Sequence, residues 1–168
     1  DTSQNYGAKE FLAEVSEKEL SDIIKEYGEE RFAYKIARAI VYARKKARIS
    51  TAKELADVIE KAVGRRGRIH PATRTFQALR IYLNKELENI ASGIEGAWNI
   101  LKPKGRIAVI SYHSLEDRII KNFFRDKVKM GEGRLIFKKP VQSRREEIIA
   151  NPRSRSAKLR IIEKNDTR

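Results

Sequence analysis

Residues 105–118 read Gly-Arg-Ile-Ala-Val-Ile-Ser-Tyr-His-Ser-Leu-Glu-Asp-Arg, and they bring a histidine, a serine and three charged side chains to the end of an apolar run. The run Ile107–Ile110 stops at Tyr112-His113-Ser114. Glu116, Asp117 and Arg118 follow, and apolar residues then resume at Ile119, Ile120, Phe123 and Phe124. The pattern predicts a buried strand over 106–112 that runs into a helix over 115–128, with Ser114 as N-cap and Asp117 at the third position. In open α/β sheets, ligands sit beyond the carboxyl ends of strands, where the free N–H groups of the next helix also point. The strand tip is therefore a candidate ligand crevice, and His113 is its candidate catalytic residue, able to accept or relay a proton. Ser114 and Asp117 are accounted for as caps. Glu116 and Arg118 serve equally as first-turn charge and solvent-facing partner, and His113 has the alternative of bonding a neighbouring strand. With two histidines, His70 and His113, and no cysteine, no metal site is expected. A glycine-rich dinucleotide fingerprint, a P-loop lysine and a nucleophile elbow are all missing.

A second stretch, Asn-Pro-Arg-Ser-Arg-Ser-Ala-Lys-Leu-Arg at 151–160, alternates Arg153, Arg155, Lys158 and Arg160 with small or apolar residues. If the stretch is extended, Arg153 and Arg155 share a face and suit phosphate recognition. A charge-protected edge strand accounts for them as well. The net charge of +14 is uneven: residues 1–60 carry 11 basic and 12 acidic side chains, and residues 61–168 carry 26 and 11. Such asymmetry points to a polyanion, nucleic acid first and a membrane surface second, or else to a charge-rich surface without such a partner. From Arg31 to Lys53 there are eight basic residues and no acid. Taken alone, that run reads first as a solvated helix face and second as a phosphate-facing one.

These residues need elements to hold them. Residues 1–64 read as four short helices, near 8–14, 17–27, 29–46 and 51–63, with capping boxes at Ser16/Glu19 and Thr51/Glu54. Residues 64–70 form a basic, glycine-containing linker. Phe76, Leu79, Leu83, Leu87, Ile90, Ile94, Ala97 and Leu101 then predict one long amphipathic helix, or two broken near Gly93 and Gly96. Leu101–Gly105 turns the chain into the strand 106–112. After helix 115–128 come a strand at 134–141, a short helix at 144–150 capped by Ser143, a loop at 151–156 and a last strand carrying Leu159 and Ile161. The second half is thus α/β, with helices covering a sheet that has an open edge. No apolar run approaches membrane-spanning length and no signal peptide is visible, which fits a cytoplasmic protein. The chain starts at Asp1 and its one methionine is Met130, so a processed product or a fragment is expected.

Residues 70–88 (HPATRTFQALRIYLNKELE), 101–124 (LKPKGRIAVISYHSLEDRIIKNFF) and 151–160, together with 26–41 (EYGEERFAYKIARAIV), resemble four blocks of the bacterial 16S ribosomal RNA cytosine-N4 methyltransferases of the MraW type. The resemblance implies a class I methyltransferase sheet interrupted by an all-α insertion. Residues 1–70 are similar to the insertion domain. Residues 71–168 are similar to the carboxy-terminal part of the α/β methyltransferase domain, its last three strands with flanking helices. Lys104 stands where the family has glycine, and Tyr112 where it has phenylalanine. The family's cofactor loop, ribose-binding acid and Asp-Leu-Gly strand tip have no counterpart in this chain. The implied cofactor, S-adenosyl-L-methionine, is therefore expected to be held by residues upstream of Asp1, and the chain alone to be inactive. The implied reaction methylates the exocyclic N4 of a decoding-centre cytidine, with 16S rRNA or the small ribosomal subunit as partner. His113, Arg80 and Asn84 are expected to line the crevice for the unstacked base, with Arg74, Arg153, Arg155 and Lys158 on the RNA. The competing readings are a non-catalytic basic RNA-binding α/β module and a structural ribosome-associated protein. No membrane partner is expected, and the oligomeric state is left open, a dimer included.

Overall fold

The computed structural model describes residues 7–64 and 70–166, and the chain is a mixed α/β protein in two compact units, divided between Glu86 and Leu87. Most of the expected linker, residues 65–69, lies outside the described residues. Among the described residues no helix is long and apolar enough to cross a membrane.

The first unit is helical: α1 (Ala8–Glu14), α2 (Glu17–Gly28), α3 (Ala33–Lys46), α4 (Ala52–Val63) and α5 (Thr73–Leu83). Two of its helix starts follow directly from sequence. Ser16 Oγ accepts the Glu19 N–H, and Thr51 and Glu54 form a reciprocal box. The third helix begins later than its periodicity predicts, at Ala33 instead of 29. Glu29 is left-handed (φ 47°), and the Glu30 carboxylate accepts the Phe32 N–H, holding the chain in a turn. Leu20, Ile24, Ile36, Ile40 and Ile59 are fully buried at the centre. Ala72, Ala78 and Leu79 complete the same core. The packing boundary therefore falls one helix later than the compositional change at residue 70. The apolar pattern after Pro71 yields two helices, α5 and α6 (Glu86–Ile100), and the break is at Asn84-Lys85, not at the glycines. Lys85 is left-handed (φ 50°), and the Glu86 carboxylate is held by Arg80 and Asn84.

The second unit contains β1 (Arg106–Ser111), α7 (Ser114–Lys129), β2 (Gly133–Leu135), β3 (Val141–Gln142), α8 (Arg145–Ala150), a 3₁₀ turn (Pro152–Ser156) and β4 (Lys158–Lys164). The expected strand at 134–141 is present as two short pieces, because the chain leaves the ladder at Phe137–Pro140 and proline offers no N–H. The expected helix cap at Ser143 is also absent: α8 starts after Arg144 with no side-chain cap. The expected loop 151–156 is the 3₁₀ turn.

Every strand pairing is antiparallel. β4 lies between β1 on one side and β2 and β3 on the other. Consequently β1 and β2 run the same way without touching, joined by α7 across β4. Ile94, Trp98, Ile120, Phe124 and Ile162 form the core between the helices and one sheet face. Trp98 meets Phe123 edge to face, with centroids 6.2 Å apart. At the far end of β4, Lys164 Nζ donates to the carbonyls of Trp98 (3.0 Å) and Leu101 (2.9 Å), satisfying the carboxyl end of α6. On the opposite sheet face, Glu163 accepts from Arg106 on β1 and Arg134 on β2, which hold its carboxyl below the usual range and tie three strands together. Lys104 sits at φ 63°, the left-handed turn that leads into β1 and that favours glycine.

Gly28 lies where α2 crosses α5. A Cβ there would meet the Arg74 carbonyl oxygen at 2.7 Å. Gly28→Ala is expected to destabilise the helical unit by about 1–3 kcal/mol. Thermal or urea unfolding measures this, and a variant as stable as the parent contradicts the close packing.

Candidate functional site at the tip of β1

The alternation along β1 and β4 sorts the site onto two sheet faces. Ile107, Val109 and Ser111 point toward the helices, whereas Ile110 and Tyr112 are more than half exposed on the other face. Along β4, Lys158, Arg160 and Ile162 share the helix-facing side. Two of these three are cations beneath a helix, and each needs an acceptor.

Asp117 supplies it. Arg160 Nε donates to Asp117 Oδ1 at 2.7 Å and its terminal nitrogen to Oδ2 at 3.1 Å, a bidentate pair. Both side chains are largely buried, 12% and 13% exposed. Lys158 Nζ lies 3.6 Å from Asp117 Oδ2. The hydrogen bond from Arg160, reinforced by the charges of Arg160 and Lys158, holds the Asp117 carboxyl below its ordinary value despite burial. Asp117 is thus not a cap, as its position after Ser114 suggested. It ties α7 to the central strand.

The cap of α7 lies one residue earlier than expected. His113 is the N-cap, in extended conformation, and its Nδ1 accepts the Glu116 N–H at 3.3 Å. Glu116 reaches back: its Oε2 accepts from Tyr112 N (2.7 Å) and His113 N (3.3 Å), and its Oε1 lies 3.3 Å from His113 Nε2. Ser114 is the first residue of the helix. Histidine acting as N-cap is the feature that the usual Ser/Thr/Asp/Asn preference hides.

The other candidate residues separate by unit. Arg74, Arg80 and Asn84 belong to the helical unit. Arg74 donates to the Glu29 carbonyl (2.9 Å), and Arg80 is bidentate to Glu86 (2.9 and 3.2 Å). Asn84 donates to the same carboxylate at 3.2 Å. His113, Arg153, Arg155 and Lys158 belong to the α/β unit. Arg153 and Arg155 do not share a face. They lie in the 3₁₀ turn, where residues two apart are rotated by about 240°, and Ser154 between them is buried and bonded to Asn151 O. Lys158 is drawn to Asp117. Arg153 instead lines a shallow cleft of about 240 Å³ with Tyr112, Ile110, Gln142, Asn151 and Leu159 on the outer sheet face. This cleft carries an aromatic side chain, a guanidinium and two amides, with Glu147 as the one acid on its wall. Among the described residues no group of three or more His, Asp or Glu could hold a metal ion.

The sequence pattern read Glu116 as first-turn charge and Asp117 as a cap, and did not join Asp117 to Arg160. Lys158, Arg160 and Lys164 fall on one side of β4, a pattern that ordinarily marks a solvent-facing side, so no local signal announced that Asp117 meets Arg160.

The four sequence blocks extend to a match with known proteins across almost the whole chain. Residues 1–165 match the model of the MraW methylase family, and the chain belongs to that family. It is 53% identical over 161 residues to ribosomal RNA small subunit methyltransferase H of Coprothermobacter proteolyticus, covering 96% of this chain and 54% of that protein. To the proteins of the same name from Persephonella marina and Sulfurihydrogenibium sp. it is 50% identical, over 98% and 96% of this chain and 57% and 56% of theirs. The chain spans about half the length of the curated relatives it matches.

Two predictions follow from the junction. His113→Ala is expected to cost about 0.5–2 kcal/mol of stability through the lost cap, and His113→Asn, a strong N-cap, to restore most of it. Thermal melts of both variants measure this, and an Ala variant as stable as the parent contradicts the capping role. Asp117→Asn is expected to lose about 2–3 kcal/mol at neutral pH. Asp117 has a depressed folded pKa, below its ordinary 3.8. Its contribution is therefore present above about pH 4 and lost as the pH falls through the folded value. The stability gap between parent and variant should narrow below about pH 4. A gap independent of pH down to 2 excludes the ion pair as its source.

Proposed function

We propose that the protein to which this chain belongs is a methyltransferase that transfers the methyl group of S-adenosyl-L-methionine to the exocyclic N4 of a cytidine in 16S rRNA. The observation that carries this reading is the half-identity, across 94–98% of the chain, to proteins named ribosomal RNA small subunit methyltransferase H. Residues 1–70 are read as an all-α insertion and residues 71–168 as the carboxy-terminal part of a class I methyltransferase domain. The order β1–β4–β2, with antiparallel β4 inserted between two like-directed strands, supports the second assignment. The partner is the small ribosomal subunit or its RNA, in the cytoplasm.

Among the described residues, the β1–α7 turn is not built to hold S-adenosyl-L-methionine. The β1–α7 turn contains no glycine, and the N–H groups of Tyr112, His113 and Glu116 are taken by the side chains of Glu116 and His113. We assign the cofactor to other residues of the full-length protein. What this chain contributes is positioning. Transfer to an exocyclic amine needs the base out of its stack and water excluded. The cleft of Tyr112 and Arg153 has the chemistry for an RNA strand: a ring face for a base and a guanidinium for a phosphate. His113 is held by Glu116 in the adjoining β1–α7 turn. Arg74, Arg80, Asn84, Arg155 and Lys158 remain proposed RNA contacts, although each but Arg155 already has a protein partner.

The test uses a full-length family protein containing this chain. With labelled S-adenosyl-L-methionine and small ribosomal subunits, methyl transfer to an rRNA cytidine is expected, and Arg153→Gln with Arg155→Gln should raise the KM for the subunit several-fold with a smaller change in kcat. The 168-residue chain alone is expected to show no saturable cofactor binding by calorimetry at micromolar concentration. Full-length protein that folds and binds the cofactor but modifies no cytidine overturns the assignment.

A further inference from the structure

The run of eight basic residues without an acid, Arg31–Lys53, is largely carried by α3. At about 100° per residue, Tyr34, Lys35, Arg38, Tyr42 and Lys45 fall within an arc of roughly 100° on one side of the helix. The opposite side is buried: Ala33, Ile36, Ala37 and Ile40 are 0–3% exposed. Two large rings, Tyr34 and Tyr42, stand in the basic stripe at 62% exposure each. Lys46 Nζ lies 4.6 Å from the centre of the Tyr42 ring. Tyr42, Lys35, Arg38 and Lys45 line a shallow depression of about 750 Å³ together with Lys61 of α4, and Glu17 is the one acid on its wall. Among the described residues Lys35, Arg38 and Lys45 form no ion pair.

An ordinary solvated helix interleaves both signs, because like charges one turn apart repel. Here the like charges are uncompensated, and the exposed surface between them is aromatic. A membrane-binding helix would also carry cations, but it would present Trp, Phe or Leu on the opposite face to lipid. The apolar side of α3 is instead consumed by the core. Cations that alternate with exposed ring faces match a polyanion that itself has flat faces, which is single-stranded nucleic acid.

We infer that this face of α3 is a docking surface for a single-stranded RNA segment, with phosphates on Lys35, Arg38 and Lys45 and bases stacked on Tyr42 and Tyr34. The two tyrosines are separated by about 12 Å along the axis, so each ring holds a separate base. The choice of RNA over DNA rests on the proposed function. The binding itself needs no methyl donor, so this chain suffices to test it.

Fluorescence anisotropy of the 168-residue chain with a short, unstructured, labelled oligoribonucleotide, titrated at several salt concentrations, is the experiment. The triple variant Lys35→Gln, Arg38→Gln, Lys45→Gln should weaken binding by about tenfold or more and reduce the salt slope by about 2. Tyr42→Ala should weaken binding about tenfold with the slope unchanged, and Tyr42→Phe should bind as the parent does. All four positions are on the surface, and unaltered melts confirm folding. Loss in the lysine and arginine variant with no loss in Tyr42→Ala means general polyanion binding and overturns the inference. So does equal binding by parent and both variants, or a preference for phosphatidylserine vesicles over RNA. A full-length protein that fails to methylate rRNA while this chain binds RNA through α3 removes the proposed function and leaves this surface standing. The converse result removes only the surface.

Discussion

A carboxylate bonded twice to a guanidinium beneath a helix, Asp117 to Arg160, is the constraint around which the α/β unit is arranged. The helix-facing side of β4 is not uniformly apolar. It carries Lys158, Arg160 and Lys164 around Ile162. A cation under a helix is tolerated only where an acceptor meets it. At one end Asp117 of α7 receives Arg160 and Lys158. At the other, the free carbonyls of α6 receive Lys164. Between them Ile162, Phe124 and Trp98 close the apolar layer. The position of α7 over the sheet is thus set by polar contacts at its beginning and apolar ones along its length. The tip of β1 inherits that position, since His113 and Glu116 lock the turn immediately before Asp117.

Much of this was readable in the sequence, and the failures have physical causes. Helices with a cap and a clear apolar period, such as Glu17–Gly28 and Ala52–Val63, fall where the residues place them. So do β1 and β4. The apolar period after Pro71 predicted one long helix, or two broken near Gly93 and Gly96, yet a Cβ at either glycine would meet nothing within 4 Å. The chain breaks instead at Lys85, whose left-handed backbone no composition rule announces. The paired arginines 153 and 155 were placed on one face by assuming an extended chain, and a 3₁₀ turn started at Pro152 turns them apart. At the strand tip the segment was identified correctly and the roles were misassigned. Ser114 has the better intrinsic cap propensity, but the requirement that Asp117 face Arg160 fixes the helical phase and leaves His113 at the N-cap. Pairings across 43 residues, such as Arg160 with Asp117, are invisible to any local window.

The two units divide the chemistry differently. The helical unit, residues 1–86, carries 18 basic and 13 acidic side chains, and α3 collects cations and exposed tyrosines on one side. The α/β unit carries most of the excess positive charge, and part of that charge is internal, neutralised by Asp117, Glu163 and helix carbonyls. Net charge alone therefore overstates the surface available to a polyanion on the α/β unit and understates it on the helical one. The chain belongs to the MraW methylase family and spans about half the length of the curated relatives it matches.

The central claim is that the strand tip is held by the Asp117–Arg160 pair. A double-mutant cycle on unfolding free energy measures that pair directly, using Asp117→Asn, Arg160→Gln and the combination. The account predicts a coupling energy of about 1.5–3 kcal/mol at neutral pH, with the double variant more stable than the sum of the single losses implies. A coupling below about 0.5 kcal/mol, the level of an exposed surface pair, would contradict it.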